Sequence, residues 1–296
     1  MHISEIQIRD PFVVLDGGKY YLFGSTDKDI WKGKACGFDV YISEDGLTDF
    51  EGPFPAFRPP RDFWSETNFW APEVWRCGDS WYMFATFKPK AGRRGTAILK
   101  SSAGITGHYF PWSLNADGKS GAVTPAEWEC LDGTFFEEEG NFYMVFCHEW
   151  TQVGDGEICA VRLTEDIKQA VPDEEPFLLF RASSAPWAFP LKDRAPGSFV
   201  TDGPFLFREE DGSLILLWSS FGKEGNYCIG TARSESGKLS GPWVQSGEPV
   251  YSEDGGHGML FRDKEGVLYL AVHSPNKTPH ERSVFRKMTV PRAILS

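Results

Sequence analysis

One sentence of sequence, written five times, limits what this chain can fold into. Its first instance runs Ile8-Arg9-Asp10-Pro11-Phe12-Val13-Val14, turns at Asp16-Gly17-Gly18-Lys19, and returns as Tyr20-Tyr21-Leu22-Phe23-Gly24-Ser25. An acid opens a short apolar strand, a glycine pair makes a tight turn, and an aromatic-rich strand runs back, which is the signature of a hairpin. The alternating stretch Cys36 to Ser43 adds a third strand, and Gly52-Pro53-Phe54 leads into an edge segment.

The same order recurs from Trp70-Ala71-Pro72-Glu73, from Leu131-Asp132-Gly133-Thr134, from Thr201-Asp202-Gly203-Pro204 and from Gly256-His257-Gly258. Each is followed by a Gly- or Asp-bearing turn, a returning strand and a third strand. A period of roughly 55 to 70 residues, built from one antiparallel sheet per unit, predicts sheets set radially about an axis. The expected fold is all-β, a five-bladed β-propeller with its active site at the central channel, occupying residues 1–296 as a single domain. Residues Ile3 to Ile8 precede the first unit and are expected to lie against the fifth blade, closing the ring. No helix of useful length is predicted, and the long connections at 55–69 and 182–198 are candidate functional loops.

Composition narrows the partners. A formal charge of −12 over 296 residues argues against a nucleic-acid backbone, which needs a clustered Lys/Arg surface. The chain has no apolar run of about 18 residues, so no membrane-spanning helix is expected. The six cysteines are scattered without a C-x-x-C pair, as buried free thiols would be, and structural zinc is not expected. The start Met1-His2-Ile3-Ser4-Glu5-Ile6 has neither a basic head nor an apolar stretch, so a cytoplasmic location is expected. Oligomeric state is not legible.

In a propeller the first residue of each innermost strand lies at one end of the channel, so Asp10, Glu73, Asp132, Asp202 and His257 are expected to converge on one mouth. The second strands end at the same face and bring His148-Glu149-Trp150, Phe87-Lys88, Phe221 and His273 to Asn276 to its rim. Converging carboxylates repel one another, so that one stays protonated near neutrality while another is ionised. Hydrolysis of a glycosidic bond needs two carboxyls in those two states. Asp before Gly or Pro is also ordinary turn chemistry, but three at equivalent positions of separate repeats favour a site. Trp70, Trp150 and Trp187 are candidate stacking platforms for sugar rings, with Trp187 read as core. Arg282 is a candidate to reach a ring hydroxyl or a carboxylate.

Taken in order, Arg9-Asp10-Pro11-Phe12, Trp70-Ala71-Pro72-Glu73-Val74, Leu131-Asp132-Gly133-Thr134-Phe135, Asp202-Gly203-Pro204-Phe205 and Gly256-His257-Gly258 resemble the blade-start motifs of glycoside hydrolase family 43. The resemblance covers essentially the whole chain. It implies an inverting enzyme acting on α-L-arabinofuranosides, β-D-xylosides or β-galactans in plant-type oligosaccharides. It implies Asp10 as the general base and Asp132 as the carboxylate that tunes and holds the acid. His257 corresponds to the channel histidine that in some members contacts calcium or sodium through water. The alternative for His257 is a satisfied core histidine, and no cofactor is required. The family's Glu-Gly-Pro is Asp202-Gly203-Pro204 here, which leaves the general acid open between Asp202 and Glu149. Glu73, Trp70, Trp150, His257 and Arg282 are the expected substrate-binding residues.

Two other readings stand beside this one. Trp128-Glu129-Cys130-Leu131-Asp132 looks like the Trp-Glu-Cys-Pro-Asp motif of retaining, invertase-type fructosidases, with Glu129 as acid. The altered Glu-Gly-Pro also fits a propeller that binds carbohydrate without turning it over.

Overall fold

The computed structural model describes residues 1–288, so residues 289–296 of the expected domain lie outside the described residues. Five antiparallel sheets follow one another along the chain. Blade 1 is β1(Arg9–Asp16), β2(Lys19–Ser25), β3(Phe38–Ser43) and β4(Glu51–Phe57). Blade 2 is β5(Thr67–Cys77), β6(Ser80–Lys88), β7(Gly95–Ser101) and β8(Tyr109–Pro111). Blade 3 is β9(Cys130–Glu138), β10(Asn141–His148), β11(Glu157–Leu163) and β12(Phe177–Arg181). Blade 4 is β13(Asp202–Arg208), β14(Leu214–Phe221), β15(Tyr227–Ser234) and β16(Trp243–Gln245). Blade 5 is β17(Gly256–Arg262), β18(Leu268–Ser274) and β19(Arg282–Lys287).

Strand order within each sheet is sequence order, as short hairpins dictate, and the result is the expected five-bladed propeller. Aromatic side chains fill the space between blades. Trp75 stacks on Phe205 at 5.8 Å, and Phe12 meets both at 5.3 and 6.3 Å, so residues of blades 1, 2 and 4 touch near the axis. Trp187 is buried against Trp218 at 4.6 Å and is core, as read from the sequence. The N-terminal segment lies against blade 5 as expected, through one antiparallel bridge between Gln7 and Arg282. A short helix, α1(Trp150–Val153), was not expected.

The feature that makes the site is local. In every blade the register of the first two strands breaks near the start of the inner strand, between Arg9 and Phe12, Trp70 and Glu73, Asp202 and Phe205, and Gly256 and Met259. In blade 3 the break falls between Val145 and Cys147 on the second strand. At each break one residue takes a left-handed backbone: Asp10 (φ 53°), Ala71 (φ 48°), Asp132 (φ 56°), Gly203 (φ 52°) and His257 (φ 45°). A bulge of this kind re-aims a side chain, here toward the channel. Four of the five are not glycine, and holding them there costs about 1 kcal/mol or more each.

Candidate active site

The five left-handed positions ring one end of the channel, above which opens a cavity of about 540 Å³. Asp10, Asp132, Glu149 and Asp202 line it, together with His257, Trp70 and Trp150. Seven of the nine expected site residues are therefore in one place. Two are not. Glu73 lies two residues past the inward position of blade 2, which Ala71 occupies, and it is buried with Trp75 Nε1 donating to its Oε2 at 2.9 Å. Arg282 turns away from the channel, and its guanidinium donates to the carbonyls of Ser4, Pro279 and Glu281 at 2.7 to 3.0 Å. Of the expected rim, Phe221 and Asn276 line the cavity, whereas Phe87 is buried in an aromatic cluster with Phe57 and Phe69.

Asp10 and Asp202 meet opposite surroundings. Burial alone would raise Asp10, but His257, Arg9, His273 and the Ser25 hydroxyl outweigh it and hold the carboxyl below its ordinary range. Ser25 Oγ donates to Asp10 Oδ2 at 2.5 Å. His257 Nδ1 stands 3.3 Å from Asp10 Oδ1 and 3.4 Å from Asp132 Oδ2. Burial lowers the His257 pKa despite Asp10 and Asp202, so near neutrality the ring offers an N–H rather than a full charge. His273 Nδ1 accepts the Asp10 backbone N–H at 3.2 Å, which places its own proton on Nε2.

Asp202 is half-buried and nearer the solvent than Asp10 or Asp132. Burial, with the charges of Asp132 and Glu149, pushes it up to about 7. Asp132 rises to about 8, from burial and from the charge on Asp10. Its Oδ2 accepts the Gly203 N–H at 3.0 Å. One carboxyl pushed down and two pushed up share this cavity.

Glu149 is bound otherwise. Arg94 reaches its Oε2 at 2.8 Å and Glu129 Oε2 at 3.0 Å, and Thr151 Oγ1 also donates to Glu149 Oε2. Arg94 lies over the Trp70 ring at 5.3 Å, while Trp70 Nε1 donates to the Ile30 carbonyl. Glu129 does not line the cavity, so the invertase-type reading, which needs it as acid, has no support in this geometry. Trp31, from the loop after β2, meets Trp70 at 5.3 Å and is held by Thr278 Oγ1, which accepts from Nε1 at 2.9 Å. Arg9 lies 5.2 Å from the Trp31 ring centre and 3.5 Å from Glu281.

Arg9, Trp31, Arg94 and Tyr227 are among the cavity residues that the sequence left without a role. Arg9 carried a signal, since it adjoins Asp10 in every reading of the motif. The other three come from loops or later strands where no pattern marks them. The His257 Nδ1 is turned to two carboxyls, those of Asp10 and Asp132. Among the described residues no group of three or more His, Cys, Asp or Glu is arranged to hold a metal.

Comparison with known proteins places the chain. Residues 3–292 match the model of glycosyl hydrolases family 43. The chain is similar to the endo-arabinase of Bacteroides thetaiotaomicron VPI-5482, at 39% identity and TM-score 0.87 over 99% of this chain and 98% of that one. It shares its fold with the α-L-arabinofuranosidase of Lactobacillus brevis, at 18% identity and TM-score 0.73 over 97% and 92% of the two chains. A curated relative, an extracellular exo-α-(1→5)-L-arabinofuranosidase of Streptomyces chartreusis, is 24% identical over 200 residues, 62% of this chain and 53% of that protein. The chain thus matches about half the length of that relative. The expected cytoplasmic placement is corrected by the same match, since that enzyme is extracellular and points to secretion.

Proposed function

The chain belongs to glycosyl hydrolase family 43 and is a glycoside hydrolase, and from that premise we propose that it cleaves α-L-arabinofuranosyl linkages of arabinan-type oligosaccharides with inversion. The observation that carries the mechanism is the opposed treatment of two carboxyls lining one cavity, Asp10 pushed down by His257, Arg9, His273 and Ser25, and Asp202 pushed up by burial and its acidic neighbours. The choice of sugar rests on the arabinan-directed relatives.

Asp10 is the general base. A water between Asp10 and the sugar attacks the anomeric carbon and gives its proton to the carboxylate, while the bond to the leaving oxygen breaks. Asp202 supplies the proton to that oxygen. Its raised pKa keeps the proton available, and its partial exposure puts it on the side where a leaving group departs. Asp132 neighbours both carboxyls, and the N–H it accepts from Gly203 ties it to the residue after Asp202. Glu149, the other candidate acid, is committed to Arg94 and Thr151 and serves to hold the arginine against Trp70. Trp31, Trp70 and Trp150 offer aromatic faces to furanose rings. The chain acts as one catalytic unit, its partner is the oligosaccharide, and no step runs through a metal.

Proton NMR of a reaction on an α-L-arabinofuranosyl oligosaccharide tests this. The β-anomer of the released reducing end should appear first, and the α-anomer should follow only by mutarotation. Initial release of the α-anomer would rule out inversion. Turnover of β-D-xylosides with none of arabinofuranosides would overturn the substrate assignment.

A further inference from the structure

The seams between blades are stitched by one repeated contact. In four of the five blades the backbone N–H of the left-handed residue is taken by a side chain near the end of the preceding blade's second strand. Ser25 Oγ accepts from Ala71, Thr86 Oγ1 from Asp132 and Ser219 Oγ from His257, each at 2.8 Å, and His273 Nδ1 accepts from Asp10 at 3.2 Å. These four occupy one position in the ladder. Ser25 pairs with Arg9, Thr86 with Trp70, Ser219 with Asp202 and His273 with Gly256, in each case the residue just before the left-handed one. In blade 3 that position, opposite Leu131, is Cys147. A thiol is a weak acceptor, and at this seam alone the N–H, that of Gly203, goes to the carboxylate Asp132 Oδ2 at 3.0 Å.

Blades 1 and 3 differ at this point in a way that matters for two equivalent aspartates. Ser25 donates to Asp10 Oδ2 while accepting from Ala71, so a hydroxyl stands between the carboxylate of blade 1 and the backbone of blade 2. No hydroxyl intervenes at blade 3. Asp132 meets the backbone of blade 4 directly, at the residue that follows Asp202. Cys147 is fully buried, does not line the cavity, and is kept a neutral thiol by burial and by Asp132 and Asp202.

We infer that Cys147 is a positioning residue for the proposed hydrolysis: by leaving the Gly203 N–H to Asp132, it draws that carboxylate across the seam between blades 3 and 4 and sets it beside Asp202. The inference rests on the roles proposed for Asp132 and Asp202. It makes an unusual demand, that the near-isosteric Cys147→Ser be worse than the truncation Cys147→Ala. A hydroxyl at this position would accept from Gly203 and donate to Asp132, as Ser25 does between Ala71 and Asp10, and so insert itself into the direct contact.

The test uses both variants of the full chain, each checked by thermal melting. With an α-L-arabinofuranosyl oligosaccharide, Cys147→Ser should lower kcat by about 10- to 100-fold with KM little changed, the scale of a misplaced catalytic group. Cys147→Ala should stay within about threefold of wild type, because it leaves the Gly203 to Asp132 bond in place. A Cys147→Ser variant as active as Cys147→Ala overturns the inference. Crystal structures of wild type and Cys147→Ser decide the point even if no sugar tried is turned over. The Gly203 N–H should leave Asp132 for the new hydroxyl, and its remaining on Asp132 in the variant overturns the inference independently of the substrate assignment.

Discussion

The phenol of Tyr227 donates to Asp202 Oδ2 across 2.8 Å, from a buried side chain in the cavity wall. A donor of this kind favours the carboxylate, so it opposes the burial and the neighbouring charges that push Asp202 up to about 7. With Asp202 as general acid, activity falls as pH rises through its pKa, and with Asp10 as base it falls on the acid side only below the ordinary carboxylate range. Tyr227→Phe removes the donor and raises the Asp202 pKa further. The alkaline limb of the kcat/KM profile should therefore move to higher pH in the variant, with the acid limb unmoved. A shift of the alkaline limb to lower pH would mean that another group is the acid.

Among the described residues Arg94 is the only cation bonded to Glu149, whose carboxylate is nearly inaccessible. Arg94→Ala would leave that charge buried without its partner and strip the cover from Trp70. Breaking such a pair costs about 3 kcal/mol, and Lys is a poor substitute because the guanidinium reaches Glu129 and Glu149 from separate nitrogens. Urea unfolding should show this loss in Arg94→Ala, and Glu149→Gln paired with Arg94→Ala should recover part of it.

Glu73 is buried in the core beside Trp75, and burial raises its pKa to about 8. The folded chain therefore holds a proton that the unfolded chain has released above about pH 4.5. Stability from this group is intact below that value and is lost as pH rises towards about 8. Glu73→Gln keeps an acceptor for the indole N–H and does not ionise. Its melting temperature should match wild type near pH 4 and exceed it by about 5 °C at pH 8. Equal differences at both pH values would contradict the assignment.

The propeller and most of the residues that line the candidate site could be read because the five entries recur in register, and because a left-handed backbone favours Asp, Gly and residues such as His whose selection is visible in sequence. Blade 2 broke the reading. Ala71 takes the inward position there and carries no chemistry, so the eye moves to Glu73, two residues on, which the bulge sends into the core. Arg282 follows the blade 5 loop in sequence but lies on the outer strand, where the N-terminal segment claims it. Arg94, Trp31 and Tyr227 reach the cavity from loops and a third strand, and only three-dimensional closure of the ring brings them there. The seam contacts were invisible for the same reason: Ser25, Thr86 and Ser219 share a hydroxyl, but Cys147 and His273 hold the same place with other groups, and no local pattern marks the position.

The choice between Asp202 and Glu149 as the proton donor is decided most directly by leaving-group dependence. Aryl α-L-arabinofuranosides with strongly and weakly acidic phenols would be compared in wild type, Asp202→Asn and Glu149→Gln. The account predicts that Asp202→Asn keeps most of its activity on the most acidic phenol, which departs without protonation, and loses about 100-fold or more on the least acidic. Glu149→Gln should lose a similar factor on both. If the steep dependence appears in Glu149→Gln and not in Asp202→Asn, the acid has been assigned to the wrong carboxyl.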